Sequence, residues 1–155
     1  MKFRFYQLFP VVVVALLVWA MFEPIMTFTE ASGEKMLVYN FKLLSHAGDT
    51  SWAVIALGAL LVFSVLVSLF TLAVSLYSNF ELQKRGAILT MLLLTGYYIV
   101  LLICSLILVS EAHLQVFLPV LFPLFGIILN MAFFKFACRE EARIISRASG
   151  FRLRD

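Results

Sequence analysis

Charge is scarce in this chain of 155 residues: only 14% are Asp, Glu, Lys or Arg, against about 25% in soluble domains. A chain this small and this poor in charge has too little polar surface to cover a water-facing fold. Cysteine is nearly absent as well. Cys104 and Cys138 are the only two, they form no CxxC pair, and they fall at different expected membrane depths. Redox chemistry and thiolate metal sites therefore have no support. Histidine is limited to His46 and His113, and two lone histidines do not make a zinc site. No His pair lies within an apolar run to hold a haem. No Ser/His/Asp set and no Gly-rich phosphate loop occurs, so we expect no enzyme and no cofactor. No Pro/Gly/Ser-rich linker and no internal repeat divides the chain, which reads as one domain over residues 1–155.

What the sequence has in excess is apolar length. Hydrophobic residues make up 63%, with 16 phenylalanines, and the mean hydropathy is +1.03. A bilayer core about 30 Å thick needs about 20 helical residues. Four runs meet that length, at about 5–28, 52–78, 87–110 and 116–137. In lipid the backbone must bond within its own segment, so even the β-branched first run is read as a helix. Lys2 and Arg4 before it resemble a signal peptide, but no Ala-x-Ala site follows, and we read an uncleaved first span. The second and third runs contain no charged residue, and the fourth contains only Lys135, near its end, where the side chain can snorkel. The connections are a long loop, 29–51, and two short ones, which force neighbouring helices to run antiparallel. Met36 to Leu44 in the long loop is apolar enough to lie on the membrane or form a short strand or hairpin.

The sparse charges are distributed unevenly. Ten of the 12 basic residues fall on the side of the termini and the second connection. With Glu81, Glu140, Glu141 and Asp155 included, that side carries +6. The other side, with Lys35 and Lys42 against five acids, carries −3. Lys and Arg mark the cytoplasmic side. The expected location is a bacterial cytoplasmic (inner) membrane, multi-pass, with both termini inside. Trp19, Phe22 and Trp52 fall near the outer interface and Tyr6, Tyr77 and Phe80 near the inner one, as an aromatic belt requires. The fold class is an all-α membrane protein, a four-transmembrane-helix antiparallel bundle with a short cytoplasmic C-terminal helix in the tail, 138–155.

Polar residues within the spans are the candidate functional surface. Ser64, Ser68, Thr71, Ser75 and Ser78 recur at spacings of four and three, so they share one face of the second span. Small hydroxyl residues allow close helix approach and can bond across it. They can also bond their own i−4 carbonyls. Tyr97, Tyr98 and Asn130 need partners in lipid, and the serine face is the obvious one, giving an interhelical network. No ionisable group sits at mid-depth, which argues against a proton-coupled transporter or ion channel. Pro119 and Pro123, four apart, predict a kink in the fourth span.

In the tail, Arg139, Arg143 and Arg147 recur every fourth residue along one helical face continuing the fourth span. Gly150 is expected to end that helix, with Arg152 and Arg154 beyond it. These arginines suit anionic lipid headgroups at the cytoplasmic face, or an acidic membrane-protein partner. Nucleic acid is not expected.

The stretch NFELQKRGAILTMLL, residues 79–93, and the tail REEARIISRASGFRLRD carry a resemblance. With four spans and a long first loop, they resemble an uncharacterised, Bacteroidota-type bacterial membrane family, domain of unknown function family 4293. Asn79, Leu82 and Gln83 fit its inner-loop pattern, and Glu140, Glu141, Arg147, Arg152, Leu153 and Arg154 fit its tail pattern. The resemblance implies a fold and a membrane location, not a chemistry. The leading expectation is a non-enzymatic inner-membrane protein, a small scaffold or accessory subunit of a membrane assembly. The alternative is a small transporter or lipid-binding protein, with Ser64, Ser68, Tyr97, Tyr98 and Asn130 lining a cavity.

Overall fold

A computed structural model describes residues 5–29, 35–41, 43–44, 52–77, 79–108 and 113–152. Four helices dominate: α1 (Leu8–Phe22), α2 (Trp52–Leu76), α3 (Phe80–Leu108) and α4 (Phe122–Arg152). All four are long and apolar enough to cross a membrane, α1 together with the 3₁₀ turn Phe5–Gln7 that leads into it. Each helix packs on two others, α1 on α2 and α4, and α3 on α2 and α4. Tyr6 meets Phe133 and Trp19 meets Phe122, so α1 and α4 run antiparallel. Gln7 bonds to Ser75, and Tyr98 to Val120, which fixes the other directions. The result is a four-helix bundle running up, down, up, down.

Local chemistry sets where the helices begin and end. The first helix stops at Phe22, six residues short of the expected Phe28. Glu23 precedes Pro24, and a residue before proline is pushed out of the helical region; Glu23 is extended, with φ −88° and ψ 149°. The third helix starts at Phe80 rather than Ala87. Asn79 caps it, its side-chain Oδ1 accepting from the Leu82 N–H at 3.3 Å. Lys84 and Arg85, expected in a loop, thus stand on a helix. Pro119 and Pro123 do not kink a span but start one. Pro119 lies in the 3₁₀ turn Leu118–Leu121, and Pro123 is the second residue of α4, where a missing N–H costs little.

The tail holds no separate short helix. The fourth helix is continuous for 31 residues, about 46 Å, and passes through Gly150. Nothing at Gly150 stops it, because a glycine ends a helix only where it turns left-handed.

A small antiparallel sheet caps one end of the bundle. Its strands are β1 (Met26–Thr29), β2 (Lys35–Val38), β3 (Leu43–Leu44) and β4 (His113–Val116), in the order β3-β2-β1-β4. Of the alternatives open for Met36–Leu44, the chain takes the paired strands β2, which begins one residue earlier at Lys35, and β3. The outer strand β4 comes from the connection between α3 and α4, with Met26 opposite both Val38 and Val116. Ile25, Met26, Val38, Val54 and Val120 bury together beneath the sheet. Outward faces of the bundle are apolar: Phe63, Leu66 and Phe70 on α2, and Leu92, Ile99, Leu102 and Leu106 on α3, are all exposed. Exposed Trp19 and Phe22 stand at the sheet end, and Phe5 and Tyr77 at the opposite, tail end.

Candidate functional site

The hydroxyl face of α2 lies inside the bundle. Ser64, Ser68, Thr71 and Ser75 are all buried; Ser78 is outside the described residues. Their protons do not cross to other helices. Ser64 donates to the Leu60 carbonyl, Thr71 to Val67 and Ser75 to Leu72, each at 2.8 Å. Thr90 donates to Gly86 O at 3.0 Å, and Asn130 Nδ2 to Gly126 O at 2.9 Å. The expected interhelical network of serines, tyrosines and Asn130 is therefore absent among the described residues. Bonding back to the same helix satisfies the protons of Ser64, Thr71 and Ser75, whatever the neighbouring helix offers. The face serves close approach instead: a Cβ at Gly86 of α3 would collide with Thr71 Oγ1.

The two tyrosines find partners at the sheet end. Tyr97 donates to Asn40 Oδ1 at 2.9 Å, and Asn40 Nδ2 donates to the Ala20 carbonyl at 2.6 Å. Asn40 and Tyr97 are each 1% exposed. Tyr98 donates to the Val120 carbonyl at 2.6 Å and meets Tyr97 edge-on. Together these bonds tie the loop after β2 to α1 and α3, and the start of α4 to α3. The loop rests on Gly58, where a Cβ would strike the Asn40 carbonyl and the Phe41 ring. Asn40 was not legible in the sequence, since an asparagine in a loop is an ordinary turn residue.

Gln83 was read only as part of an inner loop, and its burial was missed. It lies on the inward face of α3 with Ala87, Thr90, Leu94 and Tyr97, and its exposure is 0%. Among the described residues neither its Nε2 nor its Oε1 has a hydrogen-bond partner, and nor does Ser68 Oγ. The helical spacing 83, 87, 90, 94, 97 was the signal that could have found it. Nearby, Gln7 Nε2 donates to the Ser75 carbonyl at 2.9 Å, a cross-helix bond inside the bundle.

The basic residues gather at the tail end. Lys84 of α3 pairs with Glu141 of α4 at 2.7 Å, Arg85 with Glu81, and Arg143 with Glu140 at 3.5 Å. Arg139 is exposed, as is every residue from Ala142 to Arg147, with Glu140 and Glu141 half-buried between them. The last turns of α4 therefore leave the bundle near Glu141. Arg152 lies on this helix by its backbone only, and Arg154 is outside the described residues, as is His46. Cys104 and Cys138 are free thiols. Among the described residues no three His, Cys, Asp or Glu side chains are grouped to hold a metal ion.

One family model, that of a domain of unknown function (DUF4293), matches residues 4–141. The match takes in all four apolar helices and the 79–93 stretch, and stops before the exposed turns of α4. No curated protein and no solved structure matches the chain.

Proposed function

The chain belongs to the DUF4293 family, and from that premise we propose that it is a non-enzymatic integral protein of the bacterial inner membrane, a small scaffold or accessory subunit. The observation that carries this reading is the free end of α4. Ala142 to Arg147 are exposed on every face of nearly two helical turns. Ile144 and Ile145 are 41% and 62% exposed beside Arg143 and Arg147. A projecting helix with adjoining apolar and basic residues is built to be covered by something else. A non-enzymatic role is supported by where the bundle's hydroxyls point. Ser64, Thr71, Ser75, Thr90, Thr95 and Ser105 all bond carbonyls of their own helices, so none is held by a base as a nucleophile would be. Both termini in the cytoplasm is the orientation that the basic tail end supports.

A photo-crosslinking residue at position 145, in cells, tests the reading. One protein adduct of defined mass is expected, lost when Arg143 and Arg147 are both changed to Glu. Adducts to lipid alone, or none, would contradict it.

The second reading, a small transporter or lipid-binding protein, has one observation in its favour: Gln83 and Ser68 are buried polar groups inside the bundle with no partner among the described residues. Such groups are uncommon and mark places where something else can bond.

A further inference from the structure

At the tail end the first 3₁₀ turn lies against α4. Phe5 and Tyr6 on one side, and Phe136, Arg139, Glu140 and Arg143 on the other, enclose a groove of about 340 Å³. Its wall is aromatic and continues down the seam between α1 and α4. Phe9 stacks on Phe136 with ring centres 5.7 Å apart, and Phe5 meets Phe9 edge-on at 6.1 Å. Its rim is cationic. Glu140 is engaged by Arg143, while Arg139 has no carboxylate partner among the described residues. The groove thus holds two guanidiniums against one carboxylate.

The depth of the groove narrows the choice of occupant. Counting from Leu118, where the fourth apolar segment begins, about 20 helical residues span the hydrocarbon core. They end near Ala137, so Arg139 stands where headgroup phosphates lie. A guanidinium on the wall of a groove, with no counterion among the described residues at this depth, is stabilised by an anion, and its planar fork matches a phosphate with two parallel bonds. A phosphate at this depth, with hydrocarbon directly beneath it along an aromatic seam, describes a phospholipid. With two guanidiniums against one carboxylate, the groove favours a headgroup of net negative charge over a zwitterion.

We propose that this groove seats one anionic phospholipid, with Arg139 as the phosphate ligand and an acyl chain against Phe5, Phe9 and Phe136. The site is distinct from a diffuse basic surface, which would use Arg147 equally. It rests on the membrane reading but not on the accessory-subunit role.

The full chain, purified in mild detergent, is mixed with dioleoyl phosphatidylglycerol or dioleoyl phosphatidylcholine and weighed by native mass spectrometry. Phosphatidylglycerol should be retained and phosphatidylcholine largely lost. Arg139→Ala should lower phosphatidylglycerol retention about tenfold, the worth of one charge-assisted contact. Arg147→Ala, outside the groove, should change it less than about twofold. Phe5→Glu, at a residue 74% exposed, should repeat the Arg139→Ala loss without disturbing the core, and so covers the case in which Arg139→Ala misfolds. Equal losses from Arg139→Ala and Arg147→Ala would overturn the proposal, as would equal retention of the two lipids. Displacement of the lipid by millimolar inorganic phosphate would also overturn it, by making the site one for free phosphate. Failure of the membrane reading itself looks different, because the chain would then leave the membrane fraction in alkaline carbonate without detergent.

Discussion

Gln83 carries an amide with two donors and an acceptor into a place where, among the described residues, neither its nitrogen nor its oxygen is bonded. An unsatisfied buried polar group costs about 1–3 kcal/mol. Gln83→Leu, close in volume, removes that cost, so the thermal midpoint in detergent should rise. A fall would show that Gln83 is bonded after all. Gly86 makes the opposite demand. Its missing side chain is where Thr71 Oγ1 sits, and Thr71 is itself held by its bond to the Val67 carbonyl. Gly86→Ala should destabilise by about 1–3 kcal/mol, as overpacking does. Adding Thr71→Ala should recover much of the loss, which a double-mutant cycle measures. The inward hydroxyl face of α2 was legible because spacings of four and three fix a helical face. Its bonding was not, since serine chooses between its own helix and a neighbour at little difference in energy. Gln83 was hidden by the company of Glu81, Lys84 and Arg85, whose charges read as a loop.

At the scale of elements, the four helices were legible from apolar length alone, because the bilayer sets that length. Their ends depended on single residues. Pro24 ends one helix early, and Asn79 begins another seven residues sooner than the apolar run suggests. The sheet was half legible. Strands β2 and β3 are local to one loop, but β1 pairs with β4 across most of the chain, and a four-residue strand such as His113–Val116 leaves no period long enough to read. What holds the sheet end to the helices is the bond from Tyr97 to Asn40 and from Asn40 to Ala20. Tyr97→Phe leaves Asn40 Oδ1 without that donor and should cost about 1–2 kcal/mol. Gly58→Ala presses on the same loop through the Asn40 carbonyl and should also destabilise. The two changes act on one contact, so their combined cost in thermal unfolding should fall below the sum. Full additivity would mean that the loop is held elsewhere.

Across the whole molecule, the two ends differ in kind. One is closed by a sheet fed from both connections on that side. The other carries the ion pairs from Lys84, Arg85 and Arg143 and the free turns of α4. The tail end is where the sequence places most of its basic residues, among the described residues Lys84, Arg85, Lys135, Arg139, Arg143 and Arg147. That placement supports the proposal that both termini lie in the cytoplasm. Single cysteines test this most directly, in a background where Cys104 and Cys138 are serine. They are placed at the exposed positions Phe41 and Gln115 at the sheet end, and Glu81 and Arg147 at the tail end, and probed with a membrane-impermeant maleimide. With the inner membrane intact, positions 41 and 115 should label, and positions 81 and 147 should label only after it is permeabilised. Labelling of the tail-end pair with the sheet-end pair protected, or of all four from one side, would contradict the account.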